Sequence, residues 1–205
     1  MNESRRTRTL LLESALSLFA RCGYDGTSVK AITARAGANL GAVTYHFGGK
    51  ENLYNEVLRR AGEPLLREVR KAAASPGDSG ERIERVVRAV FAYLAQNQEL
   101  PALMMHELTL ERPIPRPIRH VVGGVFETLV GLVRAGQRAG MIVPGDPALM
   151  VVSIAAQPLY ANWARRPLRA ALGRDLQDEK TRARLVEHVV AFIHRGLTPT
   201  GRVKR

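Results

Sequence analysis

Residues 27–47 read Thr27-Ser28-Val29-Lys30-Ala31-Ile32-Thr33-Ala34-Arg35-Ala36-Gly37-Ala38-Asn39-Leu40-Gly41-Ala42-Val43-Thr44-Tyr45-His46-Phe47. The stretch reads as two short helices around a glycine. Thr27 or Ser28 stands where an N-cap belongs, its hydroxyl placed to accept from an amide of the first turn. That helix ends at Gly37, and Asn39 is placed to cap a second helix reaching Phe47. A helix-turn-helix needs small or apolar side chains where its helices cross. It also needs a glycine in the tight turn and a buried apolar residue midway along its second helix. Ile32, Ala36, Gly37 and Val43 supply these, while Thr33 replaces the usual alanine and predicts slightly looser or shifted packing. Ala- and Gly-rich helical hairpins share this pattern, so the motif needs support from its surroundings.

Working outward, residues 4–22 form a helix with Leu12, Ala15, Leu16 and Phe19 on one face, and Gly23 sits at its left-handed cap. Gly48 and Gly49 break the pattern on the other side. Lys50 then opens a long helix marked by Leu53, Val57, Ala61, Leu65 and Val69, which Pro64 is expected to kink or end early. Ser75-Pro76-Gly77-Asp78-Ser79-Gly80 reads as the clearest linker. Beyond it, helices are expected at about 81–98, 100–111, 117–139, 147–165 and 178–195. No stretch alternates with period two for long, and no internal repeat is evident. The chain is therefore all-α with about nine helices: a three-helix helix-turn-helix unit at 1–49, a connecting helix at 50–74, a larger helical bundle at 75–197, and a basic, mobile tail at 198–205.

The formal net charge of +12 favours a polyanionic partner, nucleic acid or an anionic membrane surface. The basic residues are five lysines and 26 arginines, a bias that genome composition alone produces, and residues 1–60 carry a net charge of only +4. Charge permits DNA binding without proving it. The single cysteine, Cys22, cannot form an internal disulfide, and no secretory segment is seen, so a cytoplasmic location is expected. The longest mostly apolar stretch, 149–161, is interrupted by Ser153, Gln157 and Pro158 and is too short to span a bilayer, so no membrane partner is expected. There is no G-x-S-x-G elbow, no phosphate-binding glycine loop and no cysteine pair for zinc. The five histidines lack ligand spacing. No enzyme activity, metal or cofactor is expected.

From residue 10 to residue 58 the resemblance goes well beyond the bare motif. Phe19 and Gly23-Tyr24 precede Thr27-Ser28, followed by Ala36-Gly37, Tyr45-His46-Phe47 and Lys50-Glu51-Asn52-Leu53, a spacing similar to the DNA-binding domain of the TetR family. The segment from Ala38 to Gly48 resembles the branch typified by CecR. The C-terminal part shares a general layout and the segment Met105-His106-Glu107.

The resemblance implies a homodimer on double-stranded operator DNA, with the short third helix in the major groove. Leu40, Gly41 and Thr44 would project outward, and Val43 and Phe47 would turn back into the core. Leu40 and Thr44 would meet thymine methyls, and Gly41 would let the backbone approach. Thr27, Ser28 and Lys30 would add contacts from the preceding helix. Asn39 is either a cap or a base contact. Tyr45, partly packed, and His46 would bind phosphates. Lys50, at a helix start, would hold a phosphate or stay solvated, and Arg5, Arg6 and Arg8 would lend positive charge.

In the larger bundle, Phe91, Met105, His106, Phe126, Tyr160 and Trp163 are candidates for an effector pocket, with His106, Glu107 or Gln157 to orient the ligand. Ordinary core is the alternative. The family layout assigns the last two long helices, with Val151, Val152, Ile154, Ala155, Leu185, Val189, Phe192 and Ile193, to a symmetric four-helix interface, against simple cover of the monomer core. The expected function is a ligand-responsive repressor released from its operator by a small molecule. The alternatives are a constitutive architectural DNA binder, and a helical ligand-binding protein or enzyme that no longer binds DNA.

Overall fold

Glycines and capping residues cut the described residues into ten α-helices. The computed structural model describes residues 3–108, 113–176 and 178–199, which contain no strand. In order the helices are α1 (Glu3–Cys22), α2 (Val29–Ala36), α3 (Ala42–Phe47), α4 (Lys50–Ala73), α5 (Ser79–Gln96), α6 (Glu99–Leu108), α7 (Arg116–Arg138), α8 (Pro147–Trp163), α9 (Arg165–Leu172) and α10 (Glu179–Leu197). They form two compact units. The first takes Met1–Pro64 and Asn97–Val121, and the second takes Leu65–Gln96 and Val122–Arg205.

In the first unit, Leu11, Leu12, Ala15, Leu18 and Phe19 recur at helical spacing along α1 and are all buried. Gly23 stops this helix at φ +70°, its N–H bonded to the Phe19 carbonyl at 2.9 Å. Ser28 is the cap of α2, its Oγ accepting from the Ala31 N–H at 3.1 Å. Thr27, 2% exposed, instead donates to the Gly23 carbonyl at 2.7 Å. Thr33 fits the buried helix contact because its hydroxyl is satisfied inside α2 by the carbonyls of Val29 and Lys30.

Two expectations are corrected here. Asn39 does not cap α3: Gly41 holds that position without a side-chain bond, and Asn39 contributes its backbone carbonyl to the Ala42 N–H. Pro64 does not end α4, which runs on to Ala73. A proline inside a helix costs roughly 3 kcal/mol, an amount offset here by the burial of Leu65, Leu66 and Val69 immediately beyond it. Within the first unit α6 packs against α1, burying Leu100 and Leu103. Gly62 admits the start of α7, since a Cβ there would lie 2.8 Å from Val121 Cγ2.

The second unit is built on α5, which buries Ile83, Val86, Val87, Val90, Phe91 and Leu94 and packs against α8 and α10. Its start falls at Ser79, inside the expected linker. Asp78 Oδ1 accepts from the Glu81 N–H, and Glu81 Oε2 accepts from the Asp78 N–H, a reciprocal cap that the Asp-x-x-Glu spacing encodes. The helix expected at 147–165 ends at Trp163, and a further helix, α9, follows unannounced. No glycine or proline marks that break at Ala164. Pro167 lies in the first turn of α9, where its missing N–H is harmless. Residues 109–111 of the expected 100–111 helix, and 200–205 of the expected tail, lie outside the described residues.

Candidate nucleic-acid interface

α3 is only six residues long, and its two sides differ sharply. Ala42 and Val43 are buried, the latter 1% exposed, as are Ile32 and Ala36 on α2, against which α3 packs. Leu40 is 62% exposed, Gly41 and Thr44 are exposed, and Tyr45 is 80% exposed. Tyr45 is thus free of the partial packing expected for it, because α3 is too short for the next turn to cover its ring. Its edge meets His46 with ring centroids 4.9 Å apart. Phe47 is half-buried rather than in the core, and the Arg8 guanidinium sits over its ring at 4.9 Å.

The cations of the first unit are of two kinds. Arg5, Arg6, Lys30 and Arg35 are exposed. Arg8 is engaged: besides Phe47 it bonds Glu56 Oε1 at 3.2 Å, so it braces α1 against α4 more than it offers charge. Glu56 is held by Arg59 first, then by Arg8 and Arg60, which lowers its pKa from 4.5 to about 2 despite the opposing desolvation. Lys50, the first residue of α4, lies with Nζ over the Tyr24 ring at 4.2 Å. Ser28 and Asn39 are exposed, whereas Thr27 is buried in the turn that launches α2. Neutral side chains exposed at α3 and exposed cations in the same unit suit a duplex read in its groove and gripped by its phosphates.

The effector candidates are not brought together in one unit. Met105, 38% exposed, and His106 belong to the first, while Phe91, Phe126, Tyr160 and Trp163 belong to the second. His106 Nε2 lies 3.2 Å from the Ala20 carbonyl. Glu107, 2% exposed, accepts from Tyr54 Oη at 2.6 Å. In the second unit a cleft of about 330 Å³ between α5 and α10 is lined by Arg88, Phe91, Ala95, Arg182 and Val186. A narrow crevice shares Phe91, Ala95 and Arg182 with it and adds Pro158 and Leu185. Tyr160 is 62% exposed on α8. Among the described residues no group of three or more His, Cys, Asp or Glu is disposed to hold a metal, and no helix is long and apolar enough to cross a membrane.

A family profile described as bacterial regulatory proteins, tetR family, matches residues 11–57. A second, described as tetracyclin repressor-like, C-terminal domain, matches residues 80–193, more than half the chain. The chain belongs to the TetR family. It is 24% identical over 202 residues to the HTH-type transcriptional repressor NicS of Pseudomonas putida, covering 95% of this chain and 94% of that protein. It is 27% identical over 172 residues to the probable acrEF/envCD operon repressor of Escherichia coli, covering 78% and 77%. Its fold is similar to that of the ketosteroid transcriptional regulator KstR2 of Mycobacterium tuberculosis, with a TM-score of 0.75 and 24% identity over 98% of each chain. As a TetR-family protein the chain is a ligand-responsive, DNA-binding transcriptional repressor and not an enzyme. The regulators of this family bind operator DNA and small-molecule effectors and are dimeric.

Sequence reasoning missed the Tyr54–Glu107 bond. It singled out Met105-His106-Glu107 but placed it with ligand-orienting groups, because nothing local in the sequence shows that α6 packs on α1.

Proposed function

We propose that this TetR-family repressor reads its operator through Leu40, Gly41 and Thr44 at base edges, holds the strands through Lys30, Tyr45, His46 and Lys50, and leaves the DNA when a small molecule binds the second unit. The carrying observation is the split of α3, with Val43 buried and Leu40, Thr44 and Tyr45 turned to solvent. A recognition helix needs that division. Ser28 and Asn39, both exposed, are proposed to lie close enough to touch the backbone, while Thr27 shapes the turn from within. A cytoplasmic site follows from the DNA partner, and the CecR-like branch from the segment Ala38 to Gly48.

The proposed dimer joins α8 and α10 of two copies. Leu149, Val152 and Tyr160 stand 67%, 52% and 62% exposed on α8, and Phe192 is 62% exposed on α10. Large apolar side chains gathered on two helices of one unit mark a surface for burial rather than for water. Phe91 is the effector-facing residue best supported, since it lines both the cleft and the crevice, with Phe126 and Trp163 half-buried elsewhere in the same unit.

The test is fluorescence anisotropy with a duplex carrying the chain's own upstream DNA and with a scrambled duplex. Tight, salt-dependent binding restricted to the first, weakened by a compound from a thermal-shift screen, supports the reading. Equal binding to both duplexes with no response to any compound would point to a constitutive architectural protein instead.

A further inference from the structure

Glu107 lies outside the helix-turn-helix, on α6, yet its carboxylate is buried inside the first unit. Both Glu107 and Tyr54 are buried, at 2% and 3% exposure, and the phenol donates to Glu107 Oε1 at 2.6 Å. The Tyr54 ring is fixed on two further sides. It meets Phe19 edge-on with centroids 4.7 Å apart, and Tyr24 at 5.0 Å. Tyr24 in turn carries the Lys50 ammonium over its face at 4.2 Å. Lys50 and Tyr54 are four residues apart on α4 and so share one side of it. Beside Glu107, the His106 ring lies against Gly23, and its Nε2 reaches the Ala20 carbonyl. Two consecutive α6 residues thus close on the end of α1 and the start of α4.

We propose that Glu107 is a positioning residue for the DNA grip, holding Tyr54 and through it Tyr24, so that Lys50 is poised for a backbone phosphate. The inference rests on the reading of Lys50 as a phosphate contact. A lysine side chain loses considerable rotamer freedom on meeting a phosphate, and an aromatic floor that has already oriented it reduces that loss. If the hydrogen bond from Tyr54 to Glu107 is absent, the floor shifts and the lysine approaches the phosphate unprepared.

Tyr54→Phe keeps the ring in the aromatic cluster and removes only the donor. The full chain is titrated by anisotropy against its upstream duplex and a scrambled duplex over a salt series, as wild type, Tyr54→Phe, Lys50→Ala and the double variant. Thermal melts confirm folding. Tyr54→Phe is expected to weaken binding to both duplexes by about three- to tenfold. The slope of log affinity against log salt should fall toward that of Lys50→Ala, up to about one unit below wild type. The double variant should bind no more weakly than Lys50→Ala alone. Glu107→Leu should reproduce the loss, and Glu107→Gln, which retains an acceptor, should recover it. Losses that multiply in the double variant, or a wild-type salt slope in Tyr54→Phe, overturn the proposal while leaving operator binding intact. Wild-type protein that binds neither duplex in a salt-dependent manner overturns the underlying DNA-binding reading as well.

Discussion

Two parts of this repressor expose large apolar side chains, and they do so in different company. Around α3, Leu40 and Tyr45 flank Thr44, in a unit that also exposes Arg5, Arg6, Lys30 and Arg35. On α8 and α10, Leu149, Val152, Tyr160 and Phe192 are more numerous, and Ser153 and Ala156 fill the α8 face between them. Exposure alone therefore does not say what a surface meets. We propose that the sparse apolar side chains at α3, with cations in the same unit, meet thymine methyls, and that the apolar side chains exposed on α8 and α10 meet a copy of themselves.

The comparison breaks most visibly if the second surface is charged. Phe192→Asp places a carboxylate in the proposed interface, where an unpaired buried charge costs several kcal/mol, and the expected result is a monomer with operator affinity reduced about a hundredfold or more. Sedimentation and anisotropy check it, and a dimer of unchanged affinity would remove α10 from the interface. On the first surface, Lys50→Ala should weaken binding to every duplex by roughly tenfold and lower the salt slope by about one unit. Thr44→Ala should act differently: a few-fold change confined to operator variants at one base pair, with the salt slope preserved. A Thr44→Ala loss equal on all sequences would mean that α3 grips without reading.

Smaller effects test how the surface is held. Ser28→Ala removes the α2 cap and should lower stability by about 1 kcal/mol, seen as a reduced melting temperature with near-normal binding by the folded protein. Glu56 supplies a pH test whose sign follows from its lowered pKa. Its pairing with Arg59, Arg8 and Arg60 stabilises the fold above pH 4.5, and that contribution is lost as pH falls toward about 2. Acid titrations of wild type and Glu56→Gln should accordingly converge as the pH drops through that interval.

The same contrast explains what was legible in the sequence. The proposed reading head is encoded locally: Gly23 and Gly37 fix the turns, Ser28 caps, and Ile32, Ala36 and Val43 are buried within a few turns of one another. Asn39 failed as a cap because a better local match, a side chain before a helix, gave way to the tight turn at Leu40 and Gly41. In the second unit α8 is apolar on several sides, so periodicity cannot tell the face of Val151 and Ile154, which is buried, from that of Leu149 and Val152, which is not. The break before α9 carries no proline or glycine, and the bond between Tyr54 and Glu107 joins residues 53 positions apart. Neither leaves a local trace.

The most direct measurement is hydroxyl-radical footprinting of the chain on its own upstream DNA. The account predicts two protected patches on one side of the duplex, their centres about one helical turn or roughly 34 Å apart, needing about tenfold more protein when Lys50 is replaced by alanine and weakened by an effector. A single patch, or uniform protection without sequence preference, would contradict it.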